Sequence, residues 1–140
     1  MIEFFSENEF QLVDDAAVIQ WLSQLISSEE YTLGDISFVF CNDTFLHGIN
    51  LEFLNHDTFT DIVSFDYSLG KELHGEIYIS TERVAENASE LGVSFLDELH
   101  RVIVHGVLHL CGYKDKTNEQ KKIMREKEDS ALELLKDINI

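Results

Sequence analysis

His105-Gly106-Val107-Leu108-His109-Leu110-Cys111-Gly112-Tyr113-Lys114-Asp115 is the stretch on which the reading of this chain turns. From Leu99 to Leu110 only His100, Arg101 and the two histidines interrupt an apolar run, with no proline and one interior glycine. The pattern predicts a helix. His105 and His109 then lie one turn apart: four residues at about 100° each return the second imidazole to within about 40° of the first, about 6 Å along the axis, so both can reach one ion. Gly112 suits the position just past the helix, because glycine takes the left-handed backbone that a helix stop needs. Asp115 is the first side chain after that turn able to complete a metal site, since Lys114 and Lys116 are no ligands while protonated. Two histidines and one carboxylate leave a position for water, the arrangement of catalytic rather than structural zinc. Histidines at this spacing also occur in apolar cores with hydrogen-bonded ring nitrogens; the glycine stop and the carboxylate three residues past it favour the metal. Gly106 stands where H-E-x-x-H metalloproteases carry their general-base glutamate, which disfavours that protease chemistry.

His105-Gly-x-Leu-His109-Leu-x-Gly112-Tyr113 resembles the signature H-G-x-L-H-L-x-G-Y-D-H of the YbeY family, single-domain bacterial zinc proteins described as endoribonucleases and rRNA maturation factors. Thr60-Asp61-Ile62-Val63-Ser64-Phe65 is similar to its T-D-V-L-S-F, and Gly75-Glu76-Ile77-Tyr78-Ile79-Ser80 to its G-D-I-x-I-S; the likeness runs from about Asn50 to Lys116. The resemblance implies a metal-dependent, single-strand-specific endoribonuclease acting in rRNA maturation and ribosome quality control. One zinc per chain, bound by His105, His109 and Asp115, would lower the pKa of its water toward about 7 and polarise a phosphoryl oxygen. RNA, as an rRNA precursor, is the implied substrate, with a ribosomal or other protein as a further partner.

Two departures accompany the likeness. The family's third histidine falls on Asp115 and its preceding aspartate on Lys114; a carboxylate is a competent zinc ligand, so the site is expected to persist with altered metal preference. The arginine credited with catalysis in the family falls on Leu54, to which a phosphate-neutralising role does not transfer. His56 lies near that position and can offer a cation or proton donor, although a loop histidine is commonly just solvated. An aspartate at a strand entry commonly caps a turn and a serine in a strand commonly bonds backbone. The resemblance makes Asp61 and Ser64 site-lining residues, so the candidate catalytic set is His56, Asp61 and Ser64.

The 140 residues, 44% of them hydrophobic, suffice for one domain spanning 1–140 with one core. The N-terminus carries neither a basic region nor a long apolar stretch, so a cytoplasmic protein without membrane attachment is expected. Cys41 and Cys111 read as free buried thiols. Asp and Glu number 27 against 10 Lys and Arg, a formal net charge of -17. Such a field opposes broad phosphate contact. Lys114, Lys116, Lys121, Lys122 and Arg125 cluster after the motif, either as a basic rim or as a solvated helix face. Two other classes compete with the nuclease: a non-catalytic, metal-stabilised ribosome assembly factor, suggested by the acidity and Leu54, and another metal-dependent hydrolase or a non-haem iron enzyme.

In chain order, Met1 to Phe5 reads as a short strand, and Ala16 to Ile26 as an amphipathic helix with Trp21 as a core anchor. Gly34 punctuates the chain before a strand at Ile36 to Phe40. Asn42 or Asp43 caps a second helix through Leu54, on which His47 is an exposed residue. Strands follow at Asp61 to Phe65 and Glu76 to Ser80, with His74 in a loop or at an edge. Ser80 or Thr81 caps a helix ended by Gly92, Ser94 starts the histidine helix, and Thr117 with Gln120 forms a capping box. In the last helix Ile123, Met124, Leu132 and Leu135 cover the core while its Lys and Glu face water. The expected fold is α+β: a small mixed four-stranded sheet packed with about five helices, the metal-site helix near the centre.

Overall fold

The computed structural model describes residues 1–138; Asn139 and Ile140, the end of the expected 1–140 domain, lie outside the described residues. Alternating β-branched and aromatic residues form β1 (Ile2–Ser6), β2 (Thr32–Cys41), β3 (Ile62–Asp66) and β4 (Glu72–Ser80), and the 3.6-residue patterns form α1 (Asp15–Ser28), α2 (Asp43–Leu54), α3 (Thr81–Leu91), α4 (Phe95–Leu110) and α5 (Asn118–Asp137). The sheet order is β1-β2-β4-β3. β1, β2 and β4 run parallel, and β3 pairs antiparallel on the outer edge of β4, with Val63 opposite Tyr78. The α+β class, the mixed four-stranded sheet and the five helices are therefore as expected.

One face of the sheet carries Ile36, Phe38, Phe40, Leu73, Ile77 and Ile79, all buried beneath a layer in which α1 and α4 lie on the strands and α5 packs against those two helices. α4 is the central helix of that layer, with Leu99, Ile103, Val104, Val107 and Leu108 fully buried. Trp21 is buried beside it and donates its ring N–H to the Ala131 carbonyl at 2.7 Å. On the opposite face α2 covers a smaller cluster of Cys41, Leu46 and Val63. Both cysteines are free and buried, and burial pushes each thiol up to about 12.

Side-chain caps set the helix starts: the Asn42 carboxamide oxygen accepts from the Phe45 N–H, Ser80 from Arg83, Ser94 from Asp97, and Thr117 with Gln120 closes the capping box. Gly92 (φ 69°) ends α3.

Four local expectations are corrected. Gly34 lies inside β2 rather than before it, at a register slip between Leu33 and Ile36. A Cβ there would stand 2.5 Å from the Leu73 carbonyl oxygen and the His74 ring, so only glycine lets the bulge lie against β4. His74 is in β4, an interior strand, where Nδ1 accepts from the Asp35 N–H at 3.1 Å and Nε2 meets Glu72 at 2.8 Å. His47 is half-buried, stacked on Phe59 with ring centroids 4.4 Å apart and bonded to Asp57. On α5 the buried face is Met124, Glu128, Ala131 and Leu135, whereas Ile123 is 41% exposed. Glu128 thus faces inward, contrary to the expectation that the acidic residues of this helix face water.

Candidate metal centre

α4 brings His105 and His109 to the same side, half-buried, with Nε2 atoms 3.0 Å apart. Past Cys111 the chain turns through Gly112 at φ 95°, a conformation that favours glycine. The turn is held by Gly112 and Tyr113 N–H bonds to the His109 and Leu108 carbonyls, by the Tyr31 hydroxyl on the Cys111 carbonyl at 2.9 Å, and by the Tyr113 hydroxyl on Glu29 at 2.6 Å. Asp115 is thereby folded back, its Oδ2 3.2 Å from His105 Nε2 and 3.4 Å from His109 Nε2.

The other ring nitrogens are occupied. His109 Nδ1 donates to the Tyr113 carbonyl at 2.9 Å, and His105 Nδ1 donates to Glu128 Oε2 at 2.6 Å. With the proton on Nδ1, each Nε2 presents a lone pair to the shared space. Two imidazole nitrogens and one carboxylate oxygen at these separations match the donor spacing around a four-coordinate ion with bonds of about 2.0–2.2 Å, so this set fits a metal. Burial alone would push the His105 pKa down; the hydrogen bond and charge of Glu128, with Asp115 and Asp61 behind it, outweigh burial and raise it.

The three groups open into a cleft of about 560 Å³ whose walls include Leu54, His56, Asp61, Ser64 and Lys116. His56, Asp61 and Ser64 are thus brought beside the candidate ligands, from the α2–β3 loop and β3. His56 is exposed and Ser64 half-buried. Asp61 accepts at Oδ2 from Asn87 at 3.5 Å; burial raises its pKa against the opposing charges of His105 and Arg83. Leu54 occupies the same wall, 40% exposed. Sequence reasoning missed Glu128. The signal was present, since Glu128 falls four residues after Met124 and three before Ala131, on the apolar face of α5.

The fold and the cluster together define a class: an α+β domain whose central helix carries a histidine pair that, with a carboxylate beyond a glycine turn, forms a candidate metal centre in an open cleft. The profile of the family described as Endoribonuclease YbeY matches residues 3–136. The chain is 53% identical over 133 residues to an Endoribonuclease YbeY of Christiangramia forsetii, covering 95% of this chain and 93% of that one. It is 52% identical to one of Flavobacterium johnsoniae, covering 94% and 95%. The solution structure of TM1509 from Thermotoga maritima superposes with a TM-score of 0.70 at 26% identity, over 96% of this chain and 89% of that one. This chain belongs to the endoribonuclease YbeY family.

Proposed function

We propose that the chain acts as one domain over 1–140 in the cytoplasm, as a metal-dependent, single-strand-specific endoribonuclease in rRNA maturation and ribosome quality control, with one zinc held by His105, His109 and Asp115. The observation that carries this reading is the convergence of His105 Nε2, His109 Nε2 and Asp115 Oδ2 at one end of an open cleft, in a chain of an endoribonuclease family. Zinc bound there supplies positive charge to a phosphoryl oxygen and acidifies water. Asp61, whose pKa burial raises, lines the cleft beside the histidines and is the candidate proton donor to a departing ribose oxygen. Ser64 donates its hydroxyl to a phosphate oxygen, and His56 with Lys116 supplies the donors that Leu54 does not. Among the described residues no helix is long and apolar enough to cross a membrane.

A net charge of -17 keeps bare RNA affinity low, so a ribosomal or other protein partner presents the rRNA precursor. The same acidity, with Leu54 in the cleft wall, favours a second reading, a metal-stabilised assembly factor that does not cut.

Elemental analysis of the wild type beside His105→Ala and His109→Ala, followed by incubation with single-stranded RNA and rRNA precursor, separates the readings. One zinc per chain, lost in both variants together with cleavage, is the expected result. Zinc without cleavage selects the assembly factor, and a wild type that purifies and titrates without metal returns the histidines to a structural role.

A further inference from the structure

Glu128 is the one carboxylate of α5 that is buried, at 5% exposure, while Glu119, Glu126, Asp129, Glu133 and Asp137 on the same helix are exposed. A buried carboxylate is costly unless it is bonded. Both oxygens of Glu128 are used, and both partners lie on α4: Oε2 accepts from His105 Nδ1 at 2.6 Å and Oε1 accepts from Arg101 Nη1 at 2.9 Å. Arg101 extends its other amino group to Asp129 at 2.8 Å. An arginine thus holds the carboxylate, and the carboxylate holds the ring of a candidate ligand.

The two histidines are therefore oriented by different means. His109 leans on a neutral carbonyl, His105 on a charged carboxylate. A carboxylate acceptor makes the opposite ring nitrogen a stronger donor and fixes both tautomer and ring plane.

We infer that Glu128 is a positioning residue of the metal centre. Its carboxylate keeps His105 Nε2 turned to the cleft, strengthens that nitrogen as a ligand, and ties ion binding to the docking of α5 on α4. Asp115 and Glu128 together also offset the charge of a divalent ion. The inference rests on the metal reading of His105, His109 and Asp115, and it is tested without RNA.

The experiment titrates metal-free wild type, Glu128→Gln, Glu128→Leu and the control Asp129→Asn with Co(II), followed by visible absorption, and with Zn(II) against a competing chelator; far-UV circular dichroism checks folding. Glu128→Leu should weaken zinc binding by about 10–100-fold, Glu128→Gln by less, and both should alter the Co(II) bands, while Asp129→Asn keeps the wild-type affinity and spectrum. In hydrogen exchange, zinc should slow the amides of α5 in the wild type and slow them less in Glu128→Gln. If Glu128→Gln, or a folded Glu128→Leu, binds with wild-type affinity and spectrum, Glu128 is only a bridge between helices and the inference fails while the metal reading stands. If the wild type binds neither ion, both fall together.

Discussion

Asp115 stands where the family signature has histidine, and its Oδ2 lies 3.2 Å from His105 Nε2. An anionic oxygen in place of a neutral nitrogen hardens the donor set. Asp115→His is therefore expected to raise the ratio of Zn(II) to Mn(II) affinity, and Asp115→Ala to weaken binding of both, as read by competition titration. At His105 the sign of the pH dependence is set by Glu128. The folded-state pKa is raised above the ordinary 6.5, so the stability this group contributes to the metal-free protein is complete below the unfolded value and is lost as pH rises through the folded one. Zinc needs the deprotonated ring, so its affinity moves the opposite way, rising with pH through the same raised pKa. Urea midpoints of chelator-treated protein and zinc titrations, each at about pH 6 and about pH 8, check the two trends. Gly75 is constrained by space: a Cβ there would stand 2.8 Å from the Phe65 carbonyl oxygen and 3.0 Å from Leu110, where α4 meets β4. Backbone on one side and a core leucine on the other leave no room, and Gly75→Ala should cost about 1–3 kcal/mol in denaturant unfolding.

α4 owes its position to its two ends and one face. Ser94 caps its first turn, and Leu99, Ile103, Val107 and Leu110 bury its apolar side. The cap lies eleven residues before His105, about 16 Å along the axis. Ser94→Ala should lower stability by about 1 kcal/mol, seen as a shifted urea midpoint, without changing the zinc affinity of the folded protein. At the other end the chain between Gly112 and Asp115 must double back, and the Tyr31 and Tyr113 hydroxyl bonds hold it there.

For the whole molecule, charge and metal are the governing terms. Lys114, Lys116, Lys121, Lys122 and Arg125 are all exposed after the metal motif, too few to reverse a net charge of -17. Binding of single-stranded RNA should therefore show a shallow salt dependence: three phosphate contacts correspond to a slope of log K on log salt of about -2, and a slope near or shallower than that is expected in fluorescence anisotropy titrations. A metal held by His105, His109 and Asp115 would act on the fold as well, because it would join α4 to the turn after it. With zinc at about 100 times its Kd the folded state gains about 2.7 kcal/mol, so chelation should lower the melting temperature of the wild type and leave that of His109→Ala unchanged.

Local pattern determined the helices, their caps at Ser94 and Thr117, the choice of Asn42 or Asp43 and of Ser80 or Thr81 for two more, and the histidine pair with its glycine turn, because each depends on residues within a few positions of one another. The family motifs also marked Asp61 and Ser64 for the site wall. Tertiary structure decided the rest. Gly34 and His74 were misread because a bulge and an interior strand are defined by the neighbouring strand, not by the segment itself. Asp61 and Ser64 line the same cleft as the histidines only because β3 turns back antiparallel on the edge of β4, beside α4. Glu128 looked like one more solvated charge on a polar helix. Its partner is 23 residues away on α4, and only the packing of two helices gives a buried carboxylate an imidazole and a guanidinium to hold.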